Sequence, residues 1–308
     1  MFRSQLLKQL VSTPWTRGRG LISAALNHRL HVKQKQSVLL IQQGRTSSSM
    51  ASGKIGVNGV DLYYEKVGSG PTAILLMPGA LGSTKTDFQP QLEKLNRDRF
   101  TIVAFDPRGY GKSRPPERDF PADFFHRDAK DARDLMKALG FSQFCPLGWS
   151  DGGITAQILA GTYPADVHKL VIWGSNAYFT EQDVELFEAT RDISKWSERM
   201  RAPMVAVYGE EGFAKLWSAW CDGAKQFLSN PGGDICIKET KSISCPTLIF
   251  HGDLDAMVMP EHPEFLSSAI KGSRLIRWPK GKHNLHLRFA DDFNQEVENF
   301  LTAEENKV

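Results

Sequence analysis

Short apolar runs alternate with helix-length segments over most of this 308-residue chain, and this alternation restricts the fold more than any other feature. Most of these runs contain no charged side chain, which indicates strands buried on both sides of a largely parallel sheet. The runs lie at 73–77, 101–105, 144–147, 169–173, 247–250 and 274–278. The sequence therefore predicts an α/β fold with helices on both faces of the sheet.

Two local signals add detail to this fold. Asn58 and Gly59 separate two short apolar runs, and both residue types tolerate the positive φ of a tight hairpin turn. We expect two antiparallel strands there, before the six buried ones, in a mostly parallel sheet of eight strands. In 123–139 apolar residues recur every three or four positions, as in an amphipathic helix, and Gly140 ends the pattern.

Between residues 176 and 240 the strand pattern stops, and the segment becomes helix-like and rich in large aromatic side chains. A structureless loop of this length is uncommon inside a compact domain, and the segment is too apolar for a linker. We expect a helical cap at 176–240, inserted into an α/β core formed by 54–175 and 241–308. The aromatic residues are Tyr178, Phe179, Phe187, Trp196, Tyr208, Phe213, Trp217, Trp220 and Phe227.

The first fifty residues differ from the rest of the chain in charge. They contain five arginines, three lysines and no acidic residue. Their Arg- and Ser-rich composition and an amphipathic pattern over 2–11 are typical of a mitochondrial transit peptide, with cleavage expected between Arg45 and Ser52. The alternative is a disordered basic tail on a cytosolic protein, and an internal start at Met50 would also give a cytosolic form.

Charge, hydropathy and cysteine usage exclude several classes of protein. Beyond residue 50 the chain holds 30 basic and 35 acidic residues, so we do not expect nucleic acid as a partner. No apolar run approaches the ~18 to 20 residues of a spanning helix, so membrane insertion is not expected either. The four cysteines are too scattered for a disulfide framework or a zinc site, which favours a reducing compartment.

The stretch 148–153, Gly-Trp-Ser-Asp-Gly-Gly, follows a predicted strand and precedes a helix-like segment. This is the setting of a nucleophilic serine on a sharp strand-to-helix turn. Such a turn strains the backbone of the serine and brings neighbouring backbone close, so positions two before and two after it must lack bulky side chains. Gly148 and Gly152 meet this requirement, and Ser150 is the candidate nucleophile.

A serine hydroxyl needs a base and an orienting acid, which in this setting follow it in the order acid, then histidine. His283 comes after the last predicted strand and is the favoured base. His262 falls at the start of a predicted helix, and we expect His286, three residues beyond His283, either to support the site residues or to have a structural role. Asp253 and Asp255 follow the preceding strand, at the rim where open α/β sheets bind ligands. We favour Asp255 as the acid and expect Asp253 to cap the turn, but Asp253 remains the alternative.

Two backbone N–H groups must hold the oxyanion of a tetrahedral intermediate, one from the residue after the nucleophile and one from the loop after the third strand. These positions are Asp151 and Ala80, the latter in the glycine-rich loop 78–82. The turn at 106–113 also follows a strand, and we interpret it as structural.

The side chain of Asp151 is unusual because a carboxylate beside a developing oxyanion opposes the build-up of negative charge. One interpretation is that it stabilises the first turn of the following helix, where an acidic residue contributes about 0.3–1 kcal/mol. The other is that it pairs with a cation on the substrate. We favour the second, because helix stabilisation does not require a charge at the residue next to the nucleophile.

Together these residues resemble the α/β-hydrolase family. The resemblance covers 57–301 and includes several long runs, at 106–111, 118–125, 148–153, 194–199 and 282–290. It implies a serine hydrolase for esters of α-amino acids, including amino-acid ester prodrugs. It also implies that Ser150, Asp255 and His283 form the catalytic triad and that Asp151 holds the α-ammonium group of the substrate.

The expected reaction is acyl transfer to water by a monomer that acts on a small-molecule ester. Neither a metal nor an organic cofactor is expected, because ester hydrolysis needs only proton transfer and electrostatic stabilisation. The alternatives of the same fold are a carbon–carbon bond hydrolase and a general carboxylesterase. An anionic Asp151 disfavours the first, whose ring-cleavage substrates are anionic. A non-catalytic ligand-binding protein is the remaining alternative, and the complete triad disfavours it.

Overall fold

The structure is a computed structural model that describes residues 50–304. One eight-stranded sheet forms the centre of this part of the chain. Its strands are β1 (Ala51–Val57), β2 (Val60–Val67), β3 (Thr72–Met77), β4 (Phe100–Phe105), β5 (Cys145–Trp149), β6 (Leu170–Trp173), β7 (Thr247–Gly252) and β8 (Arg274–Trp278). The predicted eight-stranded α/β architecture is confirmed.

The sheet is parallel over most of its width. Its strand order is β1-β2-β4-β3-β5-β6-β7-β8. Strand β2 pairs antiparallel with β1 and with β4, and all the other pairs are parallel. The carboxyl ends of the parallel strands therefore share one edge, and the loops that leave this edge carry the candidate site residues.

The predicted hairpin is present between β1 and β2. Asn58 and Gly59 have φ values of 47° and 76°, in the left-handed region that a tight turn requires. Val57 pairs with Val60 directly beside the turn. Both strands extend further than their apolar runs, because backbone pairing continues along an edge strand whose outer side chains are exposed.

Eleven α-helices accompany the sheet within residues 50–304. They are α1 (Thr84–Asp87), α2 (Gln89–Lys94), α3 (Phe124–Ala138), α4 (Asp151–Thr162), α5 (Glu181–Thr190), α6 (Glu198–Tyr208), α7 (Glu210–Lys225), α8 (Ile237–Ser242), α9 (Glu261–Ala269), α10 (Leu285–Arg288) and α11 (Ala290–Thr302). Helix α3 matches the clearest sequence prediction, and Gly140 follows it with φ of 90°, a left-handed conformation that favours glycine.

Two apolar cores cover the two faces of the sheet. On one face, Leu92 of α2 and Phe293 and Val297 of α11 pack in a cluster with Ile74 of β3. On the other face, α3 and α4 contribute to a larger cluster that continues into the aromatic side chains of 176–240. Burying each large apolar side chain stabilises the fold by about 1.5–3 kcal/mol. Because protein cores are closely packed, the sheet edge that carries the site rests on a rigid support.

Helix α4 follows Ser150 and is buried from Asp151 to Ala160. It lies between the sheet and α8, and a Cβ added at Gly161 would collide with the carbonyl group of Glu239. The helix that begins at the candidate nucleophile is therefore enclosed by protein rather than by solvent.

The segment predicted to form a cap contains helices α5 to α7 and the first four residues of α8, which continues to Ser242. Several of its aromatic side chains pack edge-to-face, with ring centroids 5.0 Å apart for Trp196 and Trp217 and 4.9 Å apart for Phe187 and Trp220, whereas Trp217 and Trp220 are stacked. This cluster is continuous with the core on the face of α4. We call residues 176–240 the cap segment below, and its division from the core at 175 and 241 stays an interpretation.

No helix in the described part of the chain is long and apolar enough to cross a membrane. The transit-peptide prediction concerns residues 1–49, which lie outside the described range, and it stays a prediction.

Candidate active site

Ser150 lies on the sharp turn between β5 and α4, with φ of 55° and ψ of −121°. These angles are strained for any residue with a side chain, as the sequence motif predicts. A Cβ added at Gly148 would collide with the carbonyl of Gly152, and a Cβ at Gly152 would collide with the carbonyl of Met77. The two glycines therefore allow the close backbone approach that exposes Ser150 at the end of the sheet.

The structure brings Asp255 and His283 together. Oδ2 of Asp255 lies 2.9 Å from Nδ1 of His283. A carboxylate only accepts hydrogen bonds, so Nδ1 carries the proton and Nε2 is left as the basic nitrogen of the neutral ring. Burial alone would raise the pKa of Asp255, but the hydrogen bond with His283, the charge of that ring when it is protonated, and the Met257 amide hold the pKa below its ordinary value.

Asp253, the alternative acid, points elsewhere. Its carboxylate pairs with Arg277 at 2.8 Å, so the expectation that it caps the turn is wrong. The capping contacts belong to Asp255, whose Oδ1 accepts hydrogen bonds from the amides of Met257 and Val258. One carboxylate therefore holds both its own loop and the imidazole of His283.

The backbone of His283 is hydrogen-bonded to the side chain of the residue before Ser150. The indole N–H of Trp149 donates to the His283 carbonyl at 2.9 Å, and the two rings pack with centroids 5.3 Å apart. On the other side, a Cβ at Gly174 would approach Nδ1 of His283 to 3.0 Å, so this position has little room for a side chain. These contacts fix the imidazole beside the turn that carries Ser150.

Two backbone amides near Ser150 have no acceptor within residues 50–304. One is the amide of Asp151, at the first position of α4, and the other is the amide of Ala80. The loop of Ala80 passes close to the serine, since a Cβ at Gly79 would lie 3.4 Å from the Cβ of Ser150. Both predicted oxyanion donors thus border the nucleophile and are free to donate.

A buried carboxylate that sequence reasoning missed supports this loop. Oδ2 of Asp87 accepts the amide hydrogen of Gly79 at 3.0 Å, and Oδ1 accepts the Thr86 hydroxyl. Burial raises the pKa of Asp87 to about 7, against the lowering effect of these two hydrogen bonds. No motif marks Asp87, because the helix it belongs to has only one turn.

The carboxylate of Asp151 is buried beside Ser150 and held from the cap segment. The indole N–H of Trp220, in α7, donates to Oδ2 of Asp151 at 2.7 Å. Within the described residues this is the one hydrogen bond to the carboxylate. Burial raises the pKa of Asp151 to about 7, although Trp220 and Arg118 both favour the ionised form.

Arg118 does not neutralise Asp151, because it is already paired. Its guanidinium makes two hydrogen bonds, of 2.8 and 2.7 Å, to the carboxylate of Asp128. The guanidinium also packs over the rings of Tyr110 and Phe120. Arg118 is therefore occupied by Asp128, and within residues 50–304 no cationic side chain forms an ion pair with Asp151.

The two other histidines that follow Asp255, His262 and His286, are buried. Nδ1 of His286 accepts from the Trp173 indole at 2.9 Å, so Nε2 carries the proton and donates to the Asp87 carbonyl at 3.0 Å. Burial lowers the pKa of His286 to about 3. Nε2 of His262 lies 2.9 Å from Oδ2 of Asp183. Within residues 50–304 neither ring forms a hydrogen bond with Ser150.

The turn at 106–113 is hydrogen-bonded as predicted for a structural element. The carboxylate of Asp106 accepts the amides of Thr84 and Lys112, and Ser113 donates to the Asp106 carbonyl. No cluster of three or more potential metal-ligating side chains occurs among residues 50–304.

Comparison with known proteins places this chain in a family. Residues 72–206 match the model of the alpha/beta hydrolase fold. The chain is 55% identical to mouse serine hydrolase BPHL over 281 residues, which are 91% of this chain and 95% of that protein. The chain belongs to the α/β-hydrolase family. Human serine hydrolase BPHL is 53% identical over 289 residues, 92% of this α/β-hydrolase and 98% of the human protein.

The long sequence runs also indicate a closer resemblance, to valacyclovir hydrolase, which is also called biphenyl hydrolase-like protein. The two relatives confirm this resemblance. This α/β-hydrolase is accordingly a serine hydrolase. Among solved structures, MGS-M2, an alpha/beta hydrolase enzyme from a Medee basin deep-sea metagenome library, superposes with a TM-score of 0.70. The match covers 83% of this chain and all of MGS-M2 at 18% identity, and it shows the fold alone.

Proposed function

We propose that this serine hydrolase cleaves esters of α-amino acids, including amino-acid ester prodrugs, through an acyl-enzyme on Ser150. The observation that supports the substrate class is the Asp151 carboxylate, which is buried next to the nucleophile and is not neutralised by Arg118. A buried carboxylate without a cation is costly, and a substrate ammonium group would remove that cost.

The acylation step follows from the Asp255–His283 pair. Nε2 of His283 takes the proton of the Ser150 hydroxyl while Oγ forms a bond to the ester carbonyl carbon. The carbon–oxygen bond to the alcohol then breaks, and the imidazolium gives the proton to the departing alkoxide oxygen. Asp255 keeps Nδ1 protonated and stabilises the imidazolium. A water molecule repeats the sequence on the acyl-enzyme and releases the amino acid.

The oxyanion of each tetrahedral intermediate is held by the free amides of Ala80 and Asp151. Removing one such donor lowers kcat about 10²–10³-fold in a well-studied protease, which sets the scale of the contribution. The amide of Asp151 serves the oxyanion while its side chain serves the ammonium group. The negative side chain opposes the oxyanion less when a bound ammonium group neutralises it.

The catalytic part of the proposal is tested by labelling. A fluorophosphonate probe is expected to modify Ser150 in the folded enzyme, and the Ser150→Ala variant is expected to be neither labelled nor active. Labelling of another residue, or an active Ser150→Ala variant, would contradict the assignment of the nucleophile.

The substrate class is tested with matched esters of one alcohol. One ester carries an α-ammonium group, and its twin has hydrogen at that position and the same carbon skeleton. We expect kcat/KM to be about 10–100-fold higher for the first, the scale of one or two charge-assisted hydrogen bonds. Equal kcat/KM values would contradict the proposed substrate class and favour a general carboxylesterase.

We also propose a mitochondrial location and a monomeric enzyme. The basic, acid-free composition of residues 1–50 supports the first, and one chain supplies every group named above, which supports the second. Fusion of residues 1–50 to a fluorescent protein tests the location, and sedimentation tests the oligomeric state. A cytosolic fusion protein would contradict the first, and a dimer would contradict the second.

A further inference from the structure

Tyr208 joins the end of α6, in the cap segment, to the loop that carries Ala80. Its hydroxyl donates to the Leu81 carbonyl at 2.7 Å and accepts the amide hydrogen of Gly111 at 3.1 Å. The side chain is buried, and Tyr208 and Leu81 are 127 positions apart in the sequence. The cap segment therefore reaches the oxyanion loop by a specific hydrogen bond.

The residues on both sides of Ala80 are thus held. The Gly79 amide donates to the core carboxylate of Asp87, and the Leu81 carbonyl accepts from Tyr208. Leu81 has φ of 60°, a left-handed conformation that is unfavourable for leucine and has to be imposed by its surroundings. These contacts restrict the orientation of the Ala80 amide, which lies between them.

The end of α6 is itself anchored to the core. Arg114 packs over the Tyr208 ring, with its guanidinium carbon 4.9 Å from the ring centroid. The same guanidinium donates to the carbonyls of Val207 and Gly111. The phenol is therefore held in a fixed position, and it can transmit that position to Leu81.

We propose that Tyr208 is a positioning residue of the oxyanion hole, through which the cap segment orients the Ala80 amide for acyl transfer. The inference rests on the proposed role of Ala80. It assigns the cap segment a part in the chemical step, in addition to any contact that it makes with substrate. Because the oxyanion forms only during the reaction, this contact acts on kcat rather than on substrate binding.

The test is the Tyr208→Phe variant, which keeps the ring and its packing against Arg114 but removes the hydroxyl. We expect kcat for an amino-acid ester to fall about 10-fold or more, a fraction of the loss of a whole oxyanion donor, with KM within about 2-fold. The affinity for a boronic acid, which forms a tetrahedral adduct with serine, should fall by a similar factor. The affinity for the product amino acid should not change.

Tyr63→Phe is the matched control. Its hydroxyl also takes part in two hydrogen bonds, with Glu65 and Lys112 on the surface, and we expect its loss to leave kcat unchanged. Wild-type kcat in Tyr208→Phe, or a loss of kcat/KM that lies entirely in KM, would overturn the inference. If Ser150 is labelled and required while Tyr208→Phe retains wild-type kcat, only the inference fails. An active Ser150→Ala variant would overturn both it and the proposed function.

A second measurement needs no variant and so does not depend on the folding of Tyr208→Phe. Binding of a boronic acid to the wild-type enzyme should slow amide hydrogen exchange at 79–82 and, through Tyr208, at 205–209. Protection at 79–82 without any change at 205–209 would overturn the inference.

Discussion

At the scale of single residues, the buried carboxyl of Asp151 is costly to keep ionised. The buried carboxyl has a pKa of about 7, so at neutral pH the folded protein pays part of the free energy needed to keep it ionised. Trp220 and Arg118 offset some of that cost but do not remove it. The helix N-terminus also stabilises the charge, by about 0.3–1 kcal/mol. The remaining cost is what a substrate ammonium group would remove.

The raised pKa of Asp151 leads to a prediction about pH. Arg118, Asp128, His283 and Tyr110 are the other charged or titratable groups that interact with this carboxyl. Only the ionised carboxylate attracts an ammonium group, so kcat/KM for the amino-acid ester should rise with pH through about 7 in the free enzyme. It should fall again when the substrate amine loses its proton, near ~8.

The N-acetylated ester serves as the control for this profile. Its kcat/KM should not depend on the ionisation of Asp151, but it should keep the pH dependence that comes from the triad. Superimposable profiles for the two esters, measured as kcat/KM between pH 5 and 9, would contradict the role of Asp151.

Backbone strain at Ser150 leads to a stability prediction. Glycine tolerates φ of 55° and ψ of −121° far better than alanine does. Ser150→Gly should therefore be more stable than Ser150→Ala by about 1 kcal/mol. Glycine normally lowers stability, because it raises the conformational entropy of the unfolded chain. Urea unfolding of the two inactive variants measures the difference. Ala156→Gly is the control, because it lies in the regular part of α4, where glycine should lower the free energy of unfolding. If Ser150→Gly were also less stable than Ser150→Ala, the turn would store no strain.

The sequence predicted some of these residues and not others, for physical reasons. Ser150, Asp255 and His283 stand next to strand ends, and strands are visible as apolar runs, so their meeting at one edge of the sheet could be predicted. Asp253 and Asp255 were harder to separate, because both follow β7 and only side-chain direction distinguishes them. Asp87 carries no sequence signal, since its role depends on a loop folding back over a one-turn helix.

At the scale of secondary-structure elements, α5 and α9 are joined by a buried contact between the side chains of Asp183 and His262. Oδ2 of Asp183 accepts from Thr180 and lies 2.9 Å from Nε2 of His262, and both acid and imidazole side chains are at most 2% exposed. Burial alone would raise the pKa of Asp183, but His262 and Thr180 hold the pKa below 3.8. This pair connects the first helix of the cap segment to the core.

Asp183→Asn should weaken this connection. We expect a loss of about 1–3 kcal/mol in the free energy of unfolding at neutral pH. Because the folded-state pKa is lowered, the contribution of Asp183 is complete above its unfolded pKa and disappears as pH falls through the folded value. Wild type should therefore lose stability below pH ~4, and the difference between wild type and Asp183→Asn should shrink there. A difference that is independent of pH would contradict this interpretation.

Arg118 links the loop that precedes α3 to Asp128 in that helix. Its guanidinium side chain is 1% exposed and pairs with Asp128 through two hydrogen bonds. Arg118→Met should cost about 3–5 kcal/mol, because the carboxylate of Asp128 is left buried without a cation. Arg127→Met is the control, since Arg127 pairs with the exposed Asp119 and should cost at most about 1 kcal/mol. Equal losses in urea unfolding would contradict this distinction.

The elements themselves were largely predictable, with small differences in their limits. The predicted runs 73–77 and 247–250 became Thr72–Met77 and Thr247–Gly252. Strand β7 extends past its apolar run because the backbone of His251 and Gly252 continues to pair with β8. Hydrophobic periodicity detects which side chains are buried, but strand limits depend on backbone pairing, which is set by the neighbouring strand.

At the scale of the whole molecule, the site is assembled by both parts of the chain. The core contains the candidate nucleophile, base and acid. The cap segment contributes Trp220, which hydrogen-bonds to Asp151, and Tyr208, which hydrogen-bonds to Leu81. Sequence patterns predicted that an aromatic helical segment follows β6. They did not predict these two contacts, because each joins residues whose meeting depends on how separate helices pack over the sheet.

The central claim is that Asp151 selects the ammonium group of an amino-acid ester for the chemistry at Ser150. The most direct test is the ratio of kcat/KM for an amino-acid ester to that for its N-acetylated twin, measured in wild type and in Asp151→Asn, with Ser150→Ala as the blank. Asparagine keeps the backbone amide and an acceptor for Trp220 but has no charge. The account predicts that the wild-type ratio falls about 10–100-fold in Asp151→Asn. An unchanged ratio would contradict it and leave Asp151 as a residue that only stabilises α4.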